Sequence, residues 1–293
     1  MLRFTIDNCG DPVSPDEVKQ CQVAMLSALA DFCEENGLRY YLDGGSLLGA
    51  VRHKGFIPWD DDIDLILPHP DCIRLQQLSG GQLGRYLIRP PEIDGSFFAE
   101  SWKMYDPEYI IESDLDGASS KKYYYPVFLD LFPMEGLPNS DAETARWYRR
   151  TVFLRKLLYC LTGSFWHGRT LPKKIAHGLM RPVVSIIGGE RLFLFLQASK
   201  EHLAFDQADY VGNMSGPVHT VDSKVPKAEY LKSVSLPFEG RDYSAPGNYA
   251  QYLTQLYGPD CMTTLPPPEQ RKTNHNFKVY RYKETHPAEE DDL

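Results

Sequence analysis

Four aspartates, Asp60, Asp61, Asp62 and Asp64, crowd one short stretch, and the last two alternate with Ile63 and Leu65. In a strand the period of two puts Asp62 and Asp64 on one face. Carboxylates so placed repel each other, and a hard cation, Mg2+ or Mn2+, offsets that repulsion while also binding substrate phosphates. Upstream, Gly44-Gly45-Ser46 follows the apolar run Leu38 to Leu42 and opens a segment with helical spacing. Backbone amides and a hydroxyl at a helix N-terminus are suited to phosphate. Arg52, His53 and Lys54 lie between the two motifs and can compensate phosphate charge. Trp59 can stack on a base or a cationic head group, or simply anchor the loop. An ordinary turn and a solvated strand end explain either motif alone; together they describe a nucleotide site.

Two further residues join the candidates. Asp130 sits in the apolar run Pro126 to Pro133, where an unpaired carboxylate would be heavily penalised by desolvation. A metal ion relieves that cost, and the alternative is a strand-end Asp paired with an Arg or capping a turn; the residues alone leave both open. Lys103 closes the run Phe97 to Met104 and is either a phosphate contact or a sheet-edge lysine.

The elements that must position these groups alternate irregularly. Ser14-Pro15-Asp16-Glu17 is a helix start, with Ser14 as N-cap and Pro15 at the first helical position. Val18, Cys21, Met25, Leu29 and Phe32 give that helix one apolar face, and Gly37 ends it. Pro68 to Gly81 reads as a helix closed by a Gly-Gly turn. Strand-like runs follow at Tyr86 to Ile88, Phe97 to Tyr105, Tyr109 to Glu112 and Tyr125 to Phe132. Further helices are expected at Arg191 to Tyr210 and Asn248 to Tyr257. The division is a catalytic core at 1–138, a basic helical insert at 139–210, and a C-terminal region at 211–293 that completes the substrate site. The last of these ends in an acidic, disordered tail at Glu289 to Asp292.

With 293 residues, 42% of them hydrophobic, the chain can build a sizeable core. A formal net charge of −9 argues against nucleic acid as partner. Charge is nevertheless segregated: residues 146–189 carry nine Lys or Arg and no acid, leaving 22 basic (31 less 9) against 40 acidic residues elsewhere. Aromatic and leucine side chains interleave with Arg149, Arg150, Arg155 and Lys156. That composition suits either a helix lying on an anionic membrane surface or a helical cap packed on the core. Six scattered cysteines with no C-x-x-C pair argue against a zinc site or a disulfide framework. The first fifteen residues lack a signal-peptide core, and no run of about eighteen apolar residues occurs. The expected location is therefore the cytoplasm, peripheral at the inner face of the membrane if the insert meets lipid.

The stretch from Tyr40 to Leu67, YYLDGGSLLGAVRHKGFIPWDDDIDLIL, resembles the LicD family of the nucleotidyltransferase superfamily, which includes phosphocholine transferases and the fukutin-related proteins. The segments 125–134 and 236–271 are similar too, the latter through Pro237-Phe238-Glu239-Gly240, Tyr257-Gly258 and Pro266-Pro267 followed by Arg271. One departure stands out: 15 residues separate Ser46 from Asp62, more than the general superfamily pattern allows, and the excess is the basic and aromatic loop. The resemblance implies an α+β fold, a nucleotidyltransferase-like mixed sheet core with flanking helices and a mainly helical insert. It implies Asp62, Asp64 and Asp130 as catalytic metal ligands, with Asp130 also a proton acceptor. Gly45, Ser46, Arg52, His53, Lys54, Trp59 and Lys103 would then bind the nucleotide and its phosphates. The implied reaction moves a phospho-alcohol, phosphocholine from CDP-choline, onto a sugar hydroxyl of teichoic acid, lipopolysaccharide or a lipid-linked precursor. The alternatives are nucleotidyl transfer to a protein or small molecule by the same site, and a non-catalytic membrane-associated binding protein.

Overall fold

The computed structural model describes residues 4–94, 97–113, 122–162, 171–200, 203–215, 223–271 and 277–284. The tail at 285–293 lies outside them, as do Phe165, Trp166 and Arg169 of the insert and most of the run from Val218 to Val225. In chain order the first elements are β1 (Cys9–Pro12), α1 (Pro15–Asn36), β2 (Tyr41–Leu42), α2 (Gly44–His53), β3 (Asp64–Pro68), α3 (His69–Ser79), β4 (Gln82–Leu83) and β5 (Tyr86–Arg89). Then come β6 (Glu92–Asp94), β7 (Phe97–Ala99), β8 (Trp102–Ser113), β9 (Tyr123–Leu137), α4 (Asp141–Thr162), α5 (Leu171–Ile187) and α6 (Gly189–Ala198). The chain returns through β10 (Tyr210–Asn213), β11 (Val225–Pro226), α7 (Lys227–Tyr230), β12 (Val234–Phe238), β13 (Arg241–Ala245), α8 (Tyr249–Tyr257) and β14 (Lys278–Tyr282).

The helix signals in the sequence are honoured. Ser14 accepts from the Glu17 amide at 3.2 Å, and Gly37 closes α1 with a φ of 61° that favours glycine. Met25, Leu26, Leu29 and Cys33 are buried against the sheet. That sheet is mixed and mostly antiparallel, so the architecture is α+β. Among the described residues it has ten strands, with the main path β1-β14-β8-β9-β10-β11 and the short β2 and β3 joined to β9. The β3–β9 pair is parallel.

Three expectations need correction. The strand from Phe97 to Tyr105 is broken at Glu100-Ser101, because both side chains turn away to bond partners outside the ladder. The helix from Arg191 to Tyr210 ends at Ala198, where Ser199 bonds back to Leu196 and Lys200 is drawn inward. Asp62 lies just outside β3, so strand alternation does not govern its direction.

Helices α4, α5 and α6 pack on one another around Leu158, Val184, Leu192, Phe193 and Leu196, a small core separate from the main one. The insert is tied to the sheet by ions rather than by apolar surface alone. Arg155 of α4 is 4% exposed and grips Glu100 through Nε, with Nη2 at 2.8 Å from Glu100 Oε2. Lys200, 1% exposed, reaches the same carboxylate at 3.0 Å. Burial opposes ionisation of Glu100, but Lys200 and Arg155 outweigh it and hold the carboxyl below its ordinary range. Arg155 is thereby removed from any surface role.

Candidate active site

Register across the sheet sets the site. Asp64 of β3 stands opposite Asp130 of β9, Lys103 of β8 stands opposite Asp130 from the other side, and Arg89 of β5 stands opposite Lys103. Directly opposed residues share a face. One row therefore reads acid, acid, base, base. Asp130 takes the basic partner that apolar surroundings demand: Lys103 Nζ lies 2.7 Å and Ser101 Oγ 2.5 Å from its Oδ1. Lys103 also stands 3.5 Å from the centroid of the Phe128 ring, so it is a partner of Asp130 seated on an aromatic face.

Asp64 faces a more acidic neighbourhood. Burial pushes its carboxyl well above the usual carboxylate range, and the charges of Asp62, Asp130, Asp43 and Asp60 add to the effect in that order. Its backbone is fixed by two bonds: the amide donates to Ser46 Oγ at 2.9 Å, and the carbonyl accepts from the Asp43 amide at 3.0 Å. Ser46 is buried and acts as a staple between α2 and β3. The preceding loop is held by Gln22 of α1, whose Nε2 donates to the Asp61 carbonyl at 3.1 Å. Carboxylate oxygens of Asp60, Asp61 and Asp62 come within 4.8 Å of one another, the one such convergence of three ligand groups among the described residues. Asp64 and Asp130 stand in the register row and are not part of that convergence, and Asp130 is engaged by Lys103 and Ser101.

A cleft of about 660 Å³ opens over Asp60, Asp62 and Asp64. Gly45, Arg52 and Trp59 line one side, and the stretch from Tyr257 to Gln270 lines the other. Arg52 ties the two sides, donating from Nη1 to the Cys261 carbonyl at 2.9 Å. Arg271 donates to the Pro266 carbonyl at 2.8 Å and stands 5.8 Å from the Trp59 ring centroid, so Trp59 is anchored as well as exposed to the cleft. His53 and Lys54 do not line this space. Burial, then the neighbouring Arg52, push the His53 pKa down, and its Nε2 accepts from Arg52 Nε at 3.1 Å. Lys54 is exposed at the left-handed end of α2, where its carbonyl accepts from Glu239 in the β12–β13 turn at 2.9 Å. Glu239 Oε1 also accepts from the Phe56 amide at 3.1 Å, so the Pro-Phe-Glu-Gly turn clamps the loop that leads to the acids.

Sequence reasoning passed over several groups. Tyr257 lines the cleft, its hydroxyl pKa raised by burial and then by Asp43, Asp64, Asp60 and Asp62. Asp43, 1% exposed, accepts from the Tyr252 hydroxyl at 2.7 Å. Asp43 directly precedes the glycine pair, a signal available in the sequence; Tyr257 is part of the resemblance at 236–271, but nothing local ties it or Tyr252, two hundred residues away, to the acids.

Gly45 marks the closest approach of α2 to the acids: a Cβ there would stand 2.5 Å from Asp60 Oδ2. Gly45→Ala is expected to displace Asp60 and cut turnover at least about tenfold, with little loss of helix stability because alanine favours helix by about 1 kcal/mol. Steady-state rates and melting temperature of the variant check this.

Residues 37–135 match the family model described as LicD/FKTN/FKRP, nucleotidyltransferase domain. The chain is 30% identical over 281 residues to the Haemophilus influenzae lipopolysaccharide cholinephosphotransferase LicD, covering 90% of this chain and 97% of that protein. It is 43% identical over 70 residues to the Homo sapiens ribitol 5-phosphate transferase FKRP, covering 22% of this chain and 14% of that protein. The chain belongs to the LicD family.

Proposed function

We propose that this protein transfers phosphocholine from CDP-choline to a hydroxyl of a cell-surface glycan or its lipid-linked precursor. The observation that carries the reading is the cleft, with clustered acids on its floor, the α2 N-terminus and Arg52 on one wall, and a volume suited to a small-molecule ligand. Choline is favoured over other alcohols on two grounds. The similarity to the cholinephosphotransferase spans nearly the whole chain, whereas that to the ribitol phosphate transferase spans about a fifth. An acidic cleft also attracts a cationic head group.

The donor set of Asp60, Asp61 and Asp62, with Asp64 beside it, is made of oxygen alone and fits a hard cation, Mg2+ or Mn2+. When bound, that cation would neutralise pyrophosphate charge and the charge developing on the leaving oxygen. The chain's own groups do the rest. The Gly45 region of α2 and Arg52 hold phosphate oxygens. Trp59 packs against the donor. Asp130, aimed by Ser101 and Lys103, takes the proton of the attacking hydroxyl.

Thermal shift with a panel of CDP-alcohols tests the donor. CDP-choline with Mg2+ is expected to stabilise most, and CDP-choline without a divalent ion little. Equal stabilisation by every CDP-alcohol, or full stabilisation without metal, would contradict the reading. The raised Asp64 pKa adds a pH signature. The folded protein binds this proton more tightly than the unfolded chain, so the contribution of Asp64 to metal-free stability is greatest below the ordinary carboxylate value of about 4 and falls as pH rises toward the folded value. The Mg2+-induced rise in melting temperature should therefore be larger at pH 8 than at pH 5.5.

Membrane contact through the insert belongs to the same proposal. No helix among the described residues is long and apolar enough to cross a membrane. On α5, however, Ile175, Leu179, Val183 and Ile186 recur on one face and are 56%, 71%, 53% and 85% exposed. Arg149, Arg150, Lys156 and Arg181 are exposed on the same insert. An apolar stripe rimmed by cations fits an anionic lipid surface, each engaged cation contributing about 1 kcal/mol. Leu179→Ser/Val183→Ser/Ile186→Ser is expected to lose most co-sedimentation with anionic vesicles, and Arg149→Glu/Arg150→Glu to lose part of it, more so in high salt. Equal sedimentation of parent and variants would return the stripe to a protein partner.

A further inference from the structure

We infer that the acceptor glycan is held in a second cleft across the Trp59–Asp60 wall, with Gln22 reading one of its hydroxyls; the inference rests on the transfer reading above. This cleft, of about 500 Å³, is lined by Pro12, Lys19, Gln22, Trp59, Asp60 and Phe277 among others. Trp59 and Asp60 also line the donor cleft, so the two spaces adjoin along the acid loop. Phosphoryl transfer requires the attacking and leaving oxygens roughly in line on opposite sides of phosphorus. Two clefts that share the acid loop as a wall meet that requirement: the nucleotide leaves into one, and the nucleophile arrives from the other.

Gln22 supplies the second observation. It is 4% exposed, its Nε2 is spent on the Asp61 carbonyl at 3.1 Å, and its Oε1 has no hydrogen-bond partner among the described residues. Buried amide oxygens are ordinarily bonded. Gln22 lines the cleft, and a turn of its buried amide is needed to bring Oε1 to a carbohydrate hydroxyl bound there. The surrounding surface has the matching chemistry: the flat faces of Trp59 and Phe277 suit the C–H faces of a sugar ring, and the Lys19 ammonium sits 4.7 Å from the Phe56 ring at the rim.

The proton acceptor stands one layer of side chains behind this cleft's lining. Phe128 packs on Phe277 with ring centroids 6.5 Å apart, and Asp130 is two residues further along the same strand face. In the step so arranged, the acceptor oxygen bonds to the phosphorus that carries choline as the bond from that phosphorus to the bridging oxygen breaks. The electron pair leaves with CMP, and the hydroxyl proton passes to Asp130.

The test uses the full chain with Mg2+ and a panel of methyl hexopyranosides as probes, read by saturation-transfer NMR, beside CDP-choline thermal shift. The parent is expected to bind at least one glycoside. Val18→Trp, which fills the cleft from α1, should weaken that binding more than tenfold and keep the CDP-choline shift. Gln22→Met should weaken it about tenfold. Lys19→Ala, a rim change that leaves the core intact, serves if Val18→Trp does not fold, with an expected loss of several-fold. Glycoside binding unchanged in these variants, or absent from the parent, overturns the inference. Glycoside binding here without any response to CDP-choline would sink the donor reading alone.

Discussion

Asp64→Asn is expected to lower transfer at least about a hundredfold while raising the melting temperature of the metal-free protein. The two effects have one origin. Asp64 stands where burial and four neighbouring acids resist its charge, so the native state holds a group that would rather be protonated. An amide of the same shape removes that repulsion and leaves the backbone bonds to Ser46 and Asp43 in place. It also removes a carboxylate from the proposed metal site. Lost activity with unchanged or lower stability would mean that Asp64 is structural. Retained activity would take it out of the site.

Arg155→Met should give the largest loss of stability among insert substitutions, about 3 kcal/mol, near the lower end for breaking a buried ion pair because Lys200 still holds Glu100. The urea midpoint should fall with an unchanged slope. Arg150→Met, on the exposed side of the same helix, should change stability by less than about 0.5 kcal/mol. Activity should fall with Arg155→Met as well, because Glu100 is adjacent to Ser101, and Ser101 aims Asp130. Equal small effects at both positions would show that the insert is held to the sheet by apolar packing.

That contrast shows where the sequence was legible and where it was not. Local signals carried through: the Ser14 cap, the Gly37 stop, the Gly-Gly turn after α3 and the acid loop all depend on residues near one another in the chain. The glycine pair and the aspartates were readable as a site because their chemistry is crowded into one stretch. Nothing local separates Arg155 from Arg149 and Arg150, since its burial comes from Glu100 and Lys200 on distant segments. Ser46 reads as a phosphate ligand, and nothing local shows that its hydroxyl also accepts from the Asp64 amide. Lys103 reads as a phosphate contact or a sheet-edge lysine, and only register sets it opposite Asp130. Tyr252 and Gln22 enter only through tertiary packing, and so does the place of Tyr257 beside the acids.

The most direct measurement is the fate of a doubly labelled donor. CDP-choline carrying carbon-labelled choline and tritiated cytidine, incubated with the protein, Mg2+ and a glycan acceptor, should send the choline label to the glycan and the cytidine label to CMP. Tritium on the acceptor would mean that the α-phosphate and its nucleoside are transferred. That result would contradict the account.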